Sequence, residues 1–581
     1  MLLQRICLLL YSLWTLLQRV KHKKWLLLVS LSFYMGLRST QKEPVVGQPR
    51  DVEINNVITQ TKDDGIHMKP TFVGSPWTNA SFECVGWKRI HSCREQKPAG
   101  ETPSEPPPEP EKDILDCSEE IGIQMAGYCI VRNRTSGDLY QLMISSCDSL
   151  RTGSYTCDMA RDFSEFGYHS IGYEHKPVAP TLALQLAATS RRQPTNGVLM
   201  IIYDRVLPSA YATIRMLRLQ GCVLPVELWY RPDEMSIDNP IIYKLLSEYN
   251  VRMRPIFDRR ATGFHVKPYA VYYSSFDNVL LLDADNLPAK DPTYLFDEPE
   301  FLRTGAVFWP DYWQPSNSLF QLSNTSLLWQ LTGIKYVDMF EQESGQVLID
   351  RLRSKRALDK LMFYSTHQPR LLEKLNLLWG DKDLFRLAWL NSSQPFHLVK
   401  YPPAVGGLDL MKEKGVFCGL AMIQHDMQGN LIFFHRNTIK LDGKEDQPLV
   451  MSHIQEYSLE GDPRDYRIFQ AVYAHKECCY YIGTDSLPDG RPATQITPVD
   501  TTIYATIEIL AIQFSMEARQ LLIEDAMTSS IAGFRSMRVQ HIVALFLLVY
   551  VLAIIMFVWC KGRPARERLP SRWKPMDSKE S

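Results

Sequence analysis

Apolar residues are distributed along this chain in two distinct ways, as long blocks toward its ends and as short runs in its middle. Toward the C-terminus, Ile542 to Cys560 reads IVALFLLVYVLAIIMFVWC, 19 residues without a charge. At 1.5 Å per residue a helix over this run is ~28 Å long, close to the ~30 Å of a bilayer core, so the run predicts a transmembrane helix. Near the N-terminus an apolar stretch from Ile6 to Leu17 is followed by a basic knot (Arg19, Lys21, His22, Lys23, Lys24) and a second apolar stretch, Trp25 to Leu37. That order reads as a short signal anchor, with a cleaved signal peptide as the alternative.

The middle has another rhythm. Val198 to Tyr203 (VLMIIY) predicts a buried strand, and Pro208 opens a helix carrying Ile214, Leu217 and Leu219. Pro225 to Tyr230 is a second strand, Ile241 to Tyr249 a helix, Val251 to Phe257 a third strand, Tyr269 to Phe276 a helical turn or two, and Val279 to Leu282 a fully apolar strand. Strand, helix, strand in this order predicts an α/β domain with a mostly parallel, Rossmann-like sheet, which binds ligands beyond the carboxyl ends of its strands. Upstream, residues 38 to about 70 lack periodicity, and PAGETPSEPPPEPEKD (Pro98–Asp113) predicts a stiff extended spacer. Five segments follow: 1–40, cytosolic N-terminus and anchor; 41–190, a stem with the Pro-rich spacer and a six-cysteine region; 191–530, the α/β domain; 541–560, a transmembrane helix; and 561–581, a basic tail.

Charge places these segments about a membrane. The chain has 581 residues, 64 of them basic and 65 acidic, and is 45% apolar. That is too hydrophobic and too evenly charged for a disordered or collagen-like protein, and it gives no reason to expect nucleic acid as a partner. After Cys560 basic residues dominate (Lys561, Arg563, Arg566, Arg568, Arg572, Lys574, Lys579), which assigns the tail to the cytosol and the body to a lumen. Ten of the twelve cysteines lie between Cys84 and Cys479, and four N-x-S/T sequons begin at Asn79, Asn133, Asn324 and Asn391. Both features suit the oxidising lumen of the Golgi or late endoplasmic reticulum. Cys84, Cys93, Cys117, Cys129, Cys147 and Cys157 read as disulfides whose pairing is open, because no C-x-x-C metal spacing occurs among them.

Candidate chemistry collects where the apolar strands end. VLLLDADN sends Asp283 and Asp285 off the end of a buried strand, where two carboxylates suit Mn²⁺ or Mg²⁺ and a diphosphate. GAVFWPDYW sets Asp311 among aromatics, a composition suited to a sugar ring. ESGQVLIDR predicts a helix in which Gly345 permits close approach to a ligand, with Val347 and Leu348 on the buried face. GDKDLFRLAW predicts a helix capped by Asp381, and capping leaves Asp383 unexplained. Met422 to Lys440 predicts a hairpin turning at Gln428-Gly429-Asn430 and ending in His435 and Lys440, an imidazole for a metal and an ammonium for phosphate.

The blocks LQGCVLPVELWY, FHVKPYAVYYSSFDNVLLLDADN, TGAVFWPDYW, ESGQVLID, GDKDLFRLAW and GLAMIQHDMQGNLIFFHRNTIK, in this order over about residues 196 to 445, resemble the fungal Golgi α-mannosyltransferases of the Mnn type, the α-1,2 and α-1,3 enzymes. The resemblance implies a GT-A glycosyltransferase fold, GDP-mannose as donor, a glycan or glycoprotein acceptor, and retention of anomeric configuration. On this reading Asp283, Asp285 and His435 hold Mn²⁺ or Mg²⁺, and Asp283, Lys267 and Lys440 bind the nucleotide diphosphate; more distantly, ESGQVLID followed by GDKD resembles the paired blocks of retaining GT-A galactosyl and glucosyl transferases, which implies Asp381 and Asp383 as donor-sugar contacts beside Asp311. The Mnn-type resemblance covers neither the six-cysteine region nor the C-terminal apolar run, a departure from members with a single N-terminal anchor. A UDP-sugar transferase of the same fold, and a membrane-tethered glycan-binding protein without activity, are the alternative readings.

Overall fold

A computed structural model describes residues 69–70, 82–93, 114–150, 152–176, 195–318, 322–410, 416–473, 477–483, 486–487 and 490–561. The predicted N-terminal anchor, the polar stretch before residue 69 and the Pro-rich spacer lie outside the described residues.

The first described elements form a disulfide-stapled sheet of strands β1 (Lys69–Pro70), β2 (Phe82–Ser92), β3 (Ile114–Leu115), β4 (Met125–Asn133) and β5 (Leu139–Ser145), in the order β1-β5-β4-β2-β3. Its cysteines pair as Cys84–Cys117, Cys93–Cys147 and Cys129–Cys157. Trp87, Cys129, Val131 and Phe163 of this module share one buried cluster with Leu199, Ala270, Leu281 and Leu361 of the main body. Hydrogen bonds join them as well: Gln330 exchanges bonds with the Ile144 backbone, and the His175 amide donates to Asp359. Cys418–Cys479 is a fourth disulfide, whereas Cys222 is a buried free thiol. The even cysteine count between Cys84 and Cys479 therefore does not translate into complete pairing.

The central sheet uses β6 (Asn196–Ile201), β7 (Val226–Tyr230), β8 (Val251–Pro255), β9 (Asn278–Leu282), β11 (Ala306–Pro310), β12 (Gln342–Asp350) and β13 (His397–Leu398), ordered β13-β11-β12-β9-β6-β7-β8. Between β9 and β11 comes the short β10 (Asn286–Pro288). Alternation along each strand feeds two cores. Val198, Met200, Leu280 and Leu282 face one side, and Leu199, Val279 and Leu281 the other. Each fully buried aliphatic side chain contributes about 2 kcal/mol, so both faces need cover. Helix Leu207–Leu219, with Pro208 in its first turn, and helix Pro240–Glu248, capped by Asn239, cover the first face. Helices Val266–Tyr273, Lys355–Thr366 and Leu384–Asn391 cover the second.

One expected helix is a strand. Gln342–Asp350 is β12, antiparallel to both β9 and β11, with Val347 opposite Leu281. Buried on both faces, it has no polar side to carry the alternation that marks a half-exposed strand.

A second sheet runs β10-β16-β15-β14-β17-β20, formed with β14 (Ala404–Leu410), β15 (Val416–His425), β16 (Leu431–His435), β17 (His453–Tyr457) and β20 (Thr494–Pro498); β18 (Ile468–Tyr473) and β19 (Glu477–Ile482) extend from β15. The predicted hairpin is present as β15 and β16. Helix Ile507–Lys561 closes the described chain and packs on helix Leu207–Leu219. Its end contains the 542–560 run, whose side chains are only partly described; those of Leu545 to Leu552 are exposed. Among the described residues, no helix is long and apolar enough to cross a membrane.

Candidate active site

Two strand pairings assemble the site. β9 ends at Leu282, and the next residues turn into β10, whose Asn286 pairs with His435 at the end of β16. The Arg436 amide donates to the Asp285 carbonyl at 2.9 Å. The end of the hairpin is thereby fixed against the D-x-D turn across about 150 residues of chain. Asp283, Asp285 and His435 offer ligand atoms that all lie within 4.8 Å of one another. His435 Nε2 stands 3.3 Å from Asp285 Oδ1 and 4.0 Å from Asp283 Oδ2.

The misread strand β12 supplies the opposite wall. The Asp283 amide donates to the Gly345 carbonyl at 2.8 Å, and Asn286 Nδ2 donates to the same oxygen at 3.0 Å. A Cβ on Gly345 would lie 2.7 Å from His435 Nδ1, so only glycine lets this strand approach the imidazole so closely. Gly345 is thus important for the reason the sequence pointed to, close approach, but on a strand. Two residues earlier Glu343 points toward the same ring, with Oε1 3.6 Å from His435 Nδ1. Burial, together with Asp311, pushes the Glu343 carboxyl up to about 7.

Lysines neutralise the carboxylates. Lys267 Nζ lies 2.9 Å from Asp283 and 3.2 Å from Asp381, bridging a helix, the D-x-D turn and the GDKD turn. Burial would lower its pKa, but the two carboxylates outweigh it and hold Lys267 well above the usual lysine range. Lys440 pairs with Asp285, whose carboxyl is held low by His435 and Lys440 in spite of burial. Deeper, Lys382 Nζ is 2.7 Å from both Asp311 and Glu341. The backbone aligns that pair, because the Asp311 amide donates to the Glu341 carbonyl and the Glu341 amide to that of Trp313.

Six of the sequence candidates, Lys267, Asp283, Asp311, Asp381, His435 and Lys440, line one cavity of about 730 Å³ together with Glu343 and Lys382. Asp285 is buried beneath it as part of the carboxylate and imidazole cluster. Asp383 is not among the lining residues. It accepts from the Gln342 amide at 2.8 Å and pairs with Arg386 at 2.6 Å, tying the GDKD turn to β12. Capping is also reassigned: Asp383, at φ 64°, occupies the N-cap position of helix Leu384–Asn391 without capping through its side chain, and Asp381 faces the cavity instead. Glu341, Glu343 and Lys382 are the functional candidates the sequence reading missed. The clue for Lys382 was its place between two aspartates.

Two carboxylates and an imidazole converging from separate strands are a donor set that fits a hard divalent cation. His435 Nδ1 is buried without a hydrogen bond, and Lys267, Lys440 and His435 itself are what balance the aspartates. The residues therefore fit Mn²⁺ or Mg²⁺.

Residues 195–426, which carry most of these side chains, match the family model described as "Mannosyltransferase putative". The α-1,2-mannosyltransferase MNN21 of Candida albicans is 26% identical over 323 residues, 46% of this chain and 48% of that protein. MNN2 of Saccharomyces cerevisiae, also an α-1,2-mannosyltransferase, is 27% identical over 300 residues, 44% of this chain and 49% of its own length. Over this stretch, less than half of the chain, it is similar to the fungal Mnn-type α-1,2-mannosyltransferases. It spans about half the length of the curated relatives it matches. Among solved structures it is similar to galactosyltransferase LgtC (TM-score 0.25, 13% identity, 36% of this chain and 73% of that one). It is also similar to mouse xyloside xylosyltransferase 1 (TM-score 0.26, 14% identity, 36% and 85%).

Proposed function

We infer that this protein is a metal-dependent α-mannosyltransferase of GT-A type, moving mannose from GDP-mannose to a glycan acceptor with retention. The observation that carries the reading is the convergence of Asp283, Asp285 and His435 to within 4.8 Å, on a cavity also lined by Asp381 and Lys267. Its location in the reading is the Golgi lumen, supported by four disulfides and by the apolar 542–560 run as a membrane tether.

Asp283, Asp285 and His435 would hold Mn²⁺ or Mg²⁺, which when bound supplies neutralisation of the charge on the diphosphate leaving group. Lys440 and Lys267, already oriented by Asp285 and Asp283, add positive charge on either side of that cluster. The bond from mannose C1 to the diphosphate oxygen breaks and the acceptor oxygen bonds to C1 on the same face. The acceptor's proton passes to the departing diphosphate. Asp381, at the cavity wall, is placed to stabilise positive charge at C1. Asp311, held with Glu341 by Lys382, offers a carboxylate to donor hydroxyls. Asp383 fixes the turn that presents Asp381 and Lys382.

The test is to incubate the detergent-purified full chain with Mn²⁺, GDP-mannose and methyl α-mannoside, with linkage read by NMR. Transfer that disappears in Asp285→Ala is expected. Absence of transfer by the wild type from GDP-mannose, or full activity of the variant, sinks the reading.

A further inference from the structure

The floor of the cleft is charged, but its mouth carries two aromatic side chains that the fold leaves facing solvent. Phe264 is 55% exposed and Trp379 64%, and both line the cavity that holds Asp381 and Lys267. They are not tips of loose loops. Phe264 stands in a one-turn 3-10 helix, Gly263–His265, and its neighbour His265, buried, pairs with Glu373. Arg370 Nη1 reaches Thr262 Oγ1 at 3.3 Å, a second tie between the same two segments. Gly380 has φ +63°, and a Cβ there would come within 2.7 Å of the Phe264 ring. The ring is therefore packed on the backbone immediately after Trp379. Thr152, from the disulfide-stapled module, lines the same cavity; beside it, a Cβ on Gly153 would meet Asn376 Nδ2 at 3.1 Å. The module closes against the same turn that carries Trp379.

We propose that Trp379 and Phe264, walled by the Thr152 loop, form the subsite that receives a hexose ring of the acceptor glycan. The proposal rests on the transferase reading above and deepens it. A hexopyranose presents a C–H face to an aromatic ring and hydroxyls at its edges, so solvent-facing aromatics beside polar groups suit it. The donor's diphosphate belongs with Asp283, Asp285 and His435 on the floor, and the transferred sugar with Asp381. Trp379 lies two residues from Asp381 on the solvent side, where the second substrate must enter and its glycan chain must leave.

Binding of α-1,2-mannobiose to the full chain, measured by saturation-transfer NMR, tests this alongside the KM values of both substrates. Trp379→Ala and Phe264→Ala are each expected to weaken disaccharide binding and raise acceptor KM roughly tenfold, with no matching rise in the KM for GDP-mannose. Trp379→Tyr should recover most of the loss, which a merely unfolded turn would not. Wild-type disaccharide affinity in both alanine variants overturns the proposal, as does a rise confined to the KM for GDP-mannose, which would assign the platform to the nucleotide. If the disaccharide binds through Trp379 but the wild type transfers nothing from any nucleotide sugar, the subsite stands and the transferase reading falls.

Discussion

Gly345→Ala separates close approach from ordinary strand packing in the candidate metal cluster. Gly345 does not have the positive φ that would penalise an L-residue, so alanine there should gain about 0.4–1 kcal/mol through the unfolded chain. Against this, the new methyl would stand 2.7 Å from His435 Nδ1, 2.8 Å from Cε1 and 2.9 Å from Glu343 Oε1. Normal carbon contacts are ~3.5–4 Å, so the imidazole must retreat by roughly 1 Å. β12 cannot move instead, because Gln346 pairs with Leu282 and the Gly345 carbonyl accepts from Asp283 and Asn286. Overpacking of this kind costs about 1–3 kcal/mol, which leaves a net loss between about zero and about 2.6 kcal/mol. A 1 Å retreat also disturbs the alignment of His435 Nε2 with the Asp285 oxygen it now faces at 3.3 Å. Mn²⁺ affinity, measured by calorimetric titration, should fall at least roughly tenfold, a loss of about 1.4 kcal/mol. Gly122→Ala is the control, because a Cβ there meets nothing within 4 Å. If the wild type binds Mn²⁺ and Gly345→Ala binds it equally well at unchanged stability, the reasoning about β12 and His435 is wrong.

Three further outcomes follow from buried groups. Lys382→Met leaves Asp311 and Glu341 buried and unpaired and should cost about 3–5 kcal/mol in urea unfolding, part of it recovered in Lys382→Met/Glu341→Gln; equal unfolding midpoints for wild type and Lys382→Met would contradict this. His175 is buried between Tyr173 and Tyr273, and burial with the nearby Arg260 lowers its pKa to about 4 from the usual ~6.5. Between these values the unfolded chain binds the extra proton, so stability is lost as pH falls from 6.5 toward 4. His175→Gln should remove that component from the pH dependence of unfolding, and an unchanged slope would rule out a neutral buried imidazole. Cys129→Ser with Cys157→Ser opens a loop of 28 residues and should lower stability by about 3–4 kcal/mol, read in the same denaturation assay; a loss under about 1 kcal/mol would mean the module is held by its packing alone.

The D-x-D turn was legible because a fully apolar strand stops abruptly at two acids, a local signal. His435 and Lys440 were legible because a hairpin announces itself by two apolar runs about a Gln-Gly-Asn turn. β12 was not, because a strand buried on both faces carries no period of its own and its place depends on pairing with β9 more than 60 residues away. Glu343 was hidden for the same reason: one acid among 65 acquires meaning only when β12 is set beside His435. Asp383 was overread because spacing alone cannot distinguish a carboxylate facing a cavity from one bound to an amide and an arginine behind it. The six cysteines announced crosslinks, but pairing belongs to the folded sheet.

Thr152, on the lip of the cleft, lies between Cys147 and Cys157, each of them in a disulfide of the N-terminal module. The candidate metal cluster is built elsewhere, from Asp283 and Asp285 in the turn between β9 and β10 and His435 at the end of β16. Disulfides therefore back both sides of the cleft: two stand behind the Thr152 lip, and Cys418–Cys479 lies on β15, the strand paired with the β16 that carries His435. On the function proposed above, a chain made in a reducing compartment would lack the crosslinks behind Thr152 and on β15, so its cleft would take its final shape only after oxidation.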